Sequence, residues 1–252
     1  MHKELILPTK ITNELAYLTG ILAGDGNIHI RNKRKYAIKC VGHPQDEQDF
    51  YYDIIGPIFN KLFGIILKLK YHDKSTTFGF VLNSKEIVNF FIDIGLPSGR
   101  KDNIRIPRKL KVSKRLIINF IRGIFDTDGC ITFKKRYRKE PYYPVIIFSS
   151  KSKKITKEIA CYLKRFKFKI VEIYDYKVKD KRIKRGYTII NRIELNGRKN
   201  LELWMKTIGF WSPKHLEKIK KIARGGFEFG NSQSLNCFHR PSGYEPSAPF
   251  FT

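Results

Sequence analysis

The 252-residue chain carries 50 Lys and Arg against 23 Asp and Glu, a formal charge of +27. That excess excludes an ordinary acidic-surfaced metabolic enzyme and leaves nucleic acid, an anionic membrane or another acidic polymer as partner. With 42% hydrophobic and 13% aromatic residues, the chain builds packed cores that a basic disordered tail lacks. A membrane is the weaker candidate. No uninterrupted apolar run approaches the roughly 18 residues of a spanning helix, and MHKELILPTK has no apolar stretch ending in a small-residue cleavage site. Cys40, Cys130, Cys161 and Cys237 are scattered without CxxC spacing, which disfavours a zinc ribbon or disulfide framework and suits a reducing cell interior. Nucleic acid is the default partner, and the expected location is intracellular.

In chain order, Thr12 or Asn13 caps a predicted helix running to about Gly24, with Leu15, Leu18, Ile21 and Leu22 at helical spacing. A strand follows, with Ile28 and Ile30 on one face and Asn27, His29 and Arg31 on the other. Residues 36–41 form a second strand and 45–63 an amphipathic helix. A hairpin sets Leu67, Leu69 and Tyr71 opposite Lys68, Lys70 and His72, and a closing helix completes the unit. The pattern then repeats. Ser113 caps a helix reaching Thr127; Ile131 and Phe133 oppose Thr132 and Lys134. Residues 144–149 are the next strand and 153–166 the next helix, and Tyr174, Tyr176 and Val178 oppose Lys177 and Lys179 in the hairpin.

The repetition reaches individual residues. LAYLTGILAGDGNIHIR matches INFIRGIFDTDGCITFK at an offset of 103, placing Gly20 on Gly123 and Asp25 on Asp128. Downstream, FVLNSKEIVNFFIDIGL echoes IELNGRKNLELWMKTIGF at an offset of 113, so insertions separate the two echoes. The order α-β-β-α-β-β-α therefore occurs twice, giving an α+β fold of two pseudo-symmetric halves. The first half spans 1–97, a basic linker 98–112, the second half 113–224, and a Gly/Ser/Pro-rich tail without lysine 225–252. The tail is expected to be flexible.

Ala16, Gly20 and Gly24 share one helix face, as do Asn119, Gly123 and Thr127. Such small-residue stripes let two helix backbones approach closely. If these two helices pack together, Asp25 and Asp128 converge. Each acid then sits at a helix C-terminus, where the macrodipole and unpaired carbonyls already disfavour negative charge, and the two repel each other. Divalent cations bound between the helix ends offset all three costs, and hard oxygen ligands suit Mg²⁺. An Asp-Gly at one helix end is usually only a turn; its recurrence behind matched stripes favours the metal reading. Asp126 has no counterpart, since Ala23 holds that position, and reads as a local hydrogen-bonding residue.

LTGILAGDG (residues 18–26) and IRGIFDTDG (121–129) resemble the two copies of the LAGLIDADG motif in single-chain homing endonucleases, above all the archaeal intron-encoded and intein-borne type. The likeness covers residues 10 to about 224; Ala23 departs from the acid usual at its position. The resemblance implies two αββαββα halves packed through their motif helices, with the two antiparallel sheets forming a saddle over the DNA major groove. It implies that Asp25 with the carbonyl of Gly24, and Asp128 with that of Thr127, bind Mg²⁺, with Mn²⁺ able to substitute. It further makes Lys85 and Arg198, in the shared L-N-x-(K/R) stretch, candidates for the assisting basic residues, and makes His43 and Lys151, after the second strands, expected polar contacts to DNA. Gly42 supplies no side chain for that last role.

The polar strand faces make Asn27, His29, Arg31, Lys39, Lys68, Lys70, Thr132, Lys134, Arg136, Lys177 and Lys179 expected groove contacts. Arg and Lys can address guanine and Asn adenine, although most such side chains contact phosphate. Unlike halves imply an asymmetric double-stranded target and a monomeric protein. The expected activity is site-specific, metal-dependent double-strand cleavage by water. The alternatives are an RNA maturase acting on its host intron and a non-catalytic DNA-binding protein.

Overall fold

The computed structural model describes residues 5–32, 34–136 and 140–224. Helix α1 (Asn13–Gly24) leads into strands β1 (Gly26–Arg31) and β2 (Lys35–Gly42). A helical segment follows: α2 (Gln48–Phe50), a π-turn (Tyr51–Ile55) and α3 (Gly56–Phe63). Strands β3 (Lys70–His72) and β4 (Thr77–Asn83) and helix α4 (Lys85–Ile94) complete the first unit. After a 3₁₀ turn (Arg108–Leu110) the order returns: α5 (Lys114–Thr127), β5 (Gly129–Arg136), β6 (Glu140–Ser150), α6 (Lys153–Arg165), β7 (Ile170–Lys179), β8 (Tyr187–Asn196) and α7 (Arg198–Thr207). An additional helix, α8 (Pro213–Arg224), follows. The sheets are ordered β1-β2-β4-β3 and β5-β6-β8-β7 and are antiparallel throughout. This is the duplicated α+β arrangement expected from the sequence.

Helix starts follow side-chain chemistry. Thr12, Ser84, Ser113 and Ser152 accept from the backbone N–H groups of Leu15, Ile87, Arg115 and Ile155, using donors that a helix leaves unpaired. Gly64 closes α3 in the left-handed conformation, φ 69°.

Helices α1 and α5 pack side by side. Their contact is reciprocal. A Cβ on Gly20 would run into the carbonyl of Phe120 and lie 3.0 Å from the amide of Ile124; one on Gly123 would run into Tyr17 and lie 3.0 Å from Ile21. Each pair is related by the same 103-residue offset, so the sequence repeat is a spatial pseudo-twofold. Every residue from Leu15 to Ala23 is buried, including Tyr17 and Thr19, because α1 has protein on all sides. Helical spacing alone predicts a narrower stripe.

The segment between the halves packs too. Ile104, Ile106 and Leu110 are buried, the Ser152 hydroxyl donates to the Ile104 carbonyl at 2.8 Å, and the Ile106 amide donates to Glu158 at 2.8 Å. Residues 225–252, assigned above to a flexible tail, lie outside the described residues, as does Cys237.

Candidate active site

Asp25 and Asp128 cap α1 and α5, each with its own backbone N–H directed back into its helix. The glycine stripes hold these ends together. A Cβ on Gly24 would meet the Thr127 hydroxyl and stand 3.4 Å from the Asp128 carboxyl carbon. Asp128 opens onto solvent and Asp25 is half-covered, yet protein crowds both on their remaining sides. Desolvation, reinforced by the charges of Asp128 and Glu47, pushes Asp25 up to about 7. Desolvation also raises Asp128 to about 6, against the pull of Lys101 and Lys214. The pair is thus poorly compensated in the protein alone.

Two lysines reach this pair. The Lys101 ammonium donates to the carbonyls of Leu22 (3.4 Å), Ala23 (3.1 Å) and Gly24, at the C-terminal end of α1. Lys214 enters from α8 and bonds Glu47, a buried carboxylate that also accepts from the His43 amide at 2.8 Å. The residue after Lys214, His215, is buried near the backbone of Phe125 and Asp126, with no hydrogen bond to either ring nitrogen among the described residues. Those positions match Leu22 and Ala23, so His215 takes the place in the second half that Lys101 takes in the first. Burial, with Lys214 and Lys218 nearby, lowers His215 to about 3 and keeps it neutral.

None of Lys101, Glu47, Lys214 or His215 is among the residues expected at the site from the sequence. A signal existed: the downstream echo continues through GLPSGRK (95–101) and GFWSPKH (209–215), each placing a lysine six or five residues after the glycine. Lys101 fell inside the stretch read as a linker. Conversely, the structure does not bring Lys85 and Arg198 to the carboxylates. They begin α4 and α7, beyond Asn83 and Asn196, whose strand partners are Ala37 and Val145. The carboxylates precede Gly26 and Gly129, which pair with Cys40 and Phe148. Lys85 lies over the Tyr36 ring at 5.9 Å, and Arg198 lines a cavity with Tyr143, Lys167, Lys169 and Lys199. Asp126 is fully buried and accepts from the Tyr17 hydroxyl (2.6 Å) and the Trp211 amide (3.0 Å); burial raises it to about 6.

On the first sheet, register places Asn27, His29 and Arg31 on one face with Lys39 and Lys70, opposite Ile28, Ile38, Phe78 and Phe80. Lys39 is paired with Asp73 at 2.8 Å. Lys68 precedes β3 and is exposed, as are His43 and Lys151 after the second strands. On the second sheet, Thr132 and Lys134 share a face with Glu194 and Arg192. The backbone of Arg136 continues β5 past a register shift, and its side chain lies outside the described residues.

Lys177 and Lys179 depart from the expectation. The register shifts between Ile173 and Tyr176, where Asp175 adopts φ 56°. Two residues of β7 there oppose one of β8, and every later side chain changes face. Tyr176 now stands with Arg192, whose guanidinium lies 5.8 Å from its ring centre, while Lys177 and Lys179 pair with Ile189 and Tyr187 on the opposite face.

Among the described residues, no three His, Cys, Asp or Glu side chains converge as a metal-binding group, and no helix is long and apolar enough to cross a membrane. The carboxylate pair still offers a cation what it prefers: two hard oxygen donors raised by desolvation, beside helix-end carbonyls that already attract an ammonium. Further ligands would be carbonyls, water or a bound phosphate.

Residues 115–209 match the LAGLIDADG-like domain family. Over 218 residues the chain is 26% identical to glutamine–fructose-6-phosphate aminotransferase [isomerizing] of Methanocaldococcus jannaschii, covering 85% of this chain and 18% of that protein. Over 211 residues it is 26% identical to the replication factor C small subunit of the same organism, covering 84% of this chain and 10% of that protein. The chain thus spans less than a fifth of the curated relatives it matches, and their unlike names indicate a shared segment rather than a shared whole-protein activity. Among solved structures, I-DmoI in complex with DNA and Ca superposes with a TM-score of 0.57 at 15% identity, covering 83% of this chain and 97% of that one. The I-LtrWI LAGLIDADG homing endonuclease bound to target DNA gives 0.52 at 10% identity, covering 90% and 95%.

Proposed function

We infer, from a chain with the LAGLIDADG homing-endonuclease fold and a LAGLIDADG-like domain over residues 115–209, that this protein is a divalent-metal-dependent, site-specific DNA endonuclease. The observation that carries the reading is the convergence of Asp25 and Asp128, two destabilised carboxylates with Lys101 and Lys214 beside them, in a chain of charge +27. Nothing in folding alone rewards this placement, whereas strained electrostatics of this kind are usual where chemistry is done.

Asp25 and Asp128, with the carbonyls of Gly24 and Thr127, would hold Mg²⁺, for which Mn²⁺ can substitute. The Gly24 carbonyl now accepts from Lys101, and a cation held there would take the place of that contact. The bound ion supplies Lewis-acid stabilisation of phosphate and a more acidic water. The chain's own groups do the rest. The two carboxylates orient the attacking water by accepting its protons, and the two ammonium groups donate to scissile phosphate oxygens as negative charge builds there. One phosphodiester is cut on each strand.

The sheet faces bearing Asn27, His29, Arg31, Lys39, Lys68, Lys70, Thr132 and Lys134 contact an asymmetric target in the major groove, where phosphate contacts set the register and a few side chains read bases. Lys85, Arg198, His43, Lys151 and Arg136 serve as outlying backbone contacts in this reading, and the protein acts as a monomer.

The test is selection of cleaved duplexes from a randomised target library with Mg²⁺, with Mn²⁺ and with chelator. Recovery of one long asymmetric sequence, dependent on metal and lost in Asp25→Asn and Asp128→Asn, is the expected result. Metal-independent RNA binding without cleavage of any duplex would sink the reading and favour a maturase.

A further inference from the structure

We propose that Glu47 is a positioning residue by which the first half holds the second half's Lys214 in the active site, so that the two DNA strands are served unequally. The inference rests on the nuclease reading and extends it to the division of labour between the halves.

The two lysines are seated by different means. Lys101 has three neutral acceptors, the carbonyls of Leu22, Ala23 and Gly24 at the end of α1. The matching seat at the end of α5 is filled by the neutral, buried ring of His215. Lys214 therefore needs another anchor, and among the described residues Glu47 provides it. The Glu47 carboxylate is only 4% exposed, and one oxygen is fixed by the His43 amide while the other takes the ammonium of Lys214. Gly42 makes this possible, because a Cβ there would overlap the Glu47 carboxylate oxygen. The missing side chain at Gly42 is thus the space that Glu47 fills.

The second half has no such residue. Strand register equates Gly42 with Ser150, since Gly26 pairs with Cys40 and Gly129 with Phe148. Five residues beyond Gly42 stands Glu47; five beyond Ser150 stands buried Ile155. The tie is one-way: among the described residues Lys101 hydrogen-bonds only carbonyls of its own half, and Asp128 of the second half acts on it by charge alone. Lys101 is held by carbonyls beside Asp25 and Asp128, whereas Lys214, beside the same two acids, is additionally fixed by a hydrogen-bonded carboxylate of the other half. Groups that act on the two strands then differ in field and in freedom, and misplacing such a group by about an ångström costs rate on the order of a hundredfold.

The experiment follows single-turnover cleavage of a plasmid bearing the duplex that the wild-type protein selects, with each strand's cut measured separately. Glu47→Ala should slow one strand roughly tenfold to a hundredfold and the other less than about threefold, so that nicked circles accumulate. Gly42→Ala, which leaves Glu47 in the sequence but displaces its carboxylate, should do the same. Glu47→Gln, which keeps an acceptor, should restore much of the slowed strand. In a Lys214→Met background, Glu47→Ala should change neither rate further. Circular dichroism and Tm verify the fold of each variant. Equal slowing of both strands, no slowing of either, or an undiminished effect in the Lys214→Met background would overturn the role of Glu47 while leaving the nuclease reading intact. A wild-type protein that cuts no duplex brings down both.

Discussion

The backbones of the two motif helices agree closely, while the groups at their ends differ. Gly20 meets Phe120 and Ile124 as Gly123 meets Tyr17 and Ile21, and Asp25 and Asp128 end their helices alike. Around these fixed points the halves diverge. Ala23 is plain core, whereas its counterpart Asp126 anchors Tyr17 and Trp211; Lys101 occupies the end of α1, whereas His215 occupies that of α5. The symmetric part is dictated by close helix packing, which tolerates no bulk. The asymmetric part lies in side chains arriving from elsewhere, where substitution costs less. The two carboxylates thus stay converged while the groups around them diverge.

The symmetry of the acids is the feature whose loss has the largest effect. Asp25→Asn or Asp128→Asn should each reduce cleavage by at least about a thousandfold, equivalent to about 4 kcal/mol of barrier, with Kd for the selected duplex nearly unchanged. A large gap between the two variants, measured under single turnover, would break the equivalence of the pair.

The helix contact comes next. Gly20→Ala and Gly123→Ala each force a methyl group into the opposing backbone, and each should cost about 1–3 kcal/mol in chemical denaturation. Unequal losses would show that the two helices do not share the burden evenly.

Asp126→Ala examines the asymmetric part. It leaves the Tyr17 hydroxyl and the Trp211 amide without their buried acceptor, at a cost of about 1–3 kcal/mol. Asp126 touches neither lysine in the structure, so cleavage normalised to folded protein should stay within about threefold of wild type.

A pH series gives a smaller effect with a definite sign. Asp25 has a folded value near 7 against about 3.9 in an unfolded chain, so the folded state holds its proton more tightly. The stability this confers is fully present below about pH 4 and is lost as pH rises through 7. Metal-free Tm should fall over that interval. Asp25→Asn should flatten the fall, at about 2–4 °C for each kcal/mol recovered, and Mg²⁺ should raise the wild-type Tm at pH 8. A metal-free Tm that rises across the interval would contradict the electrostatic account.

The smallest effect is on binding: Arg31→Ala should reduce the log–log salt dependence of DNA affinity by about one unit if its contact is phosphate.

Much of this was legible in the amino-acid order. The paired Gly and Asp positions at a constant offset announce two helices in contact and two acids at their ends, because close approach and helix termination each demand particular residue types locally. Strand alternation correctly assigned faces wherever pairing was regular. It failed at Lys177 and Lys179, since a two-against-one register inverts parity and Asp175 carries no strong signal for it.

Lys101, Glu47 and Lys214 escaped for a different reason. Their roles depend on which chain segments meet, and the separations, from Leu22 to Lys101 and from Glu47 to Lys214, exceed any local periodicity. Composition and repetition by themselves determined the duplicated fold, the helix interface and the converging acids. Only tertiary structure decided which cations attend those acids, because a charge is drawn to a helix end or a carboxylate by proximity in space, whatever its place in the chain.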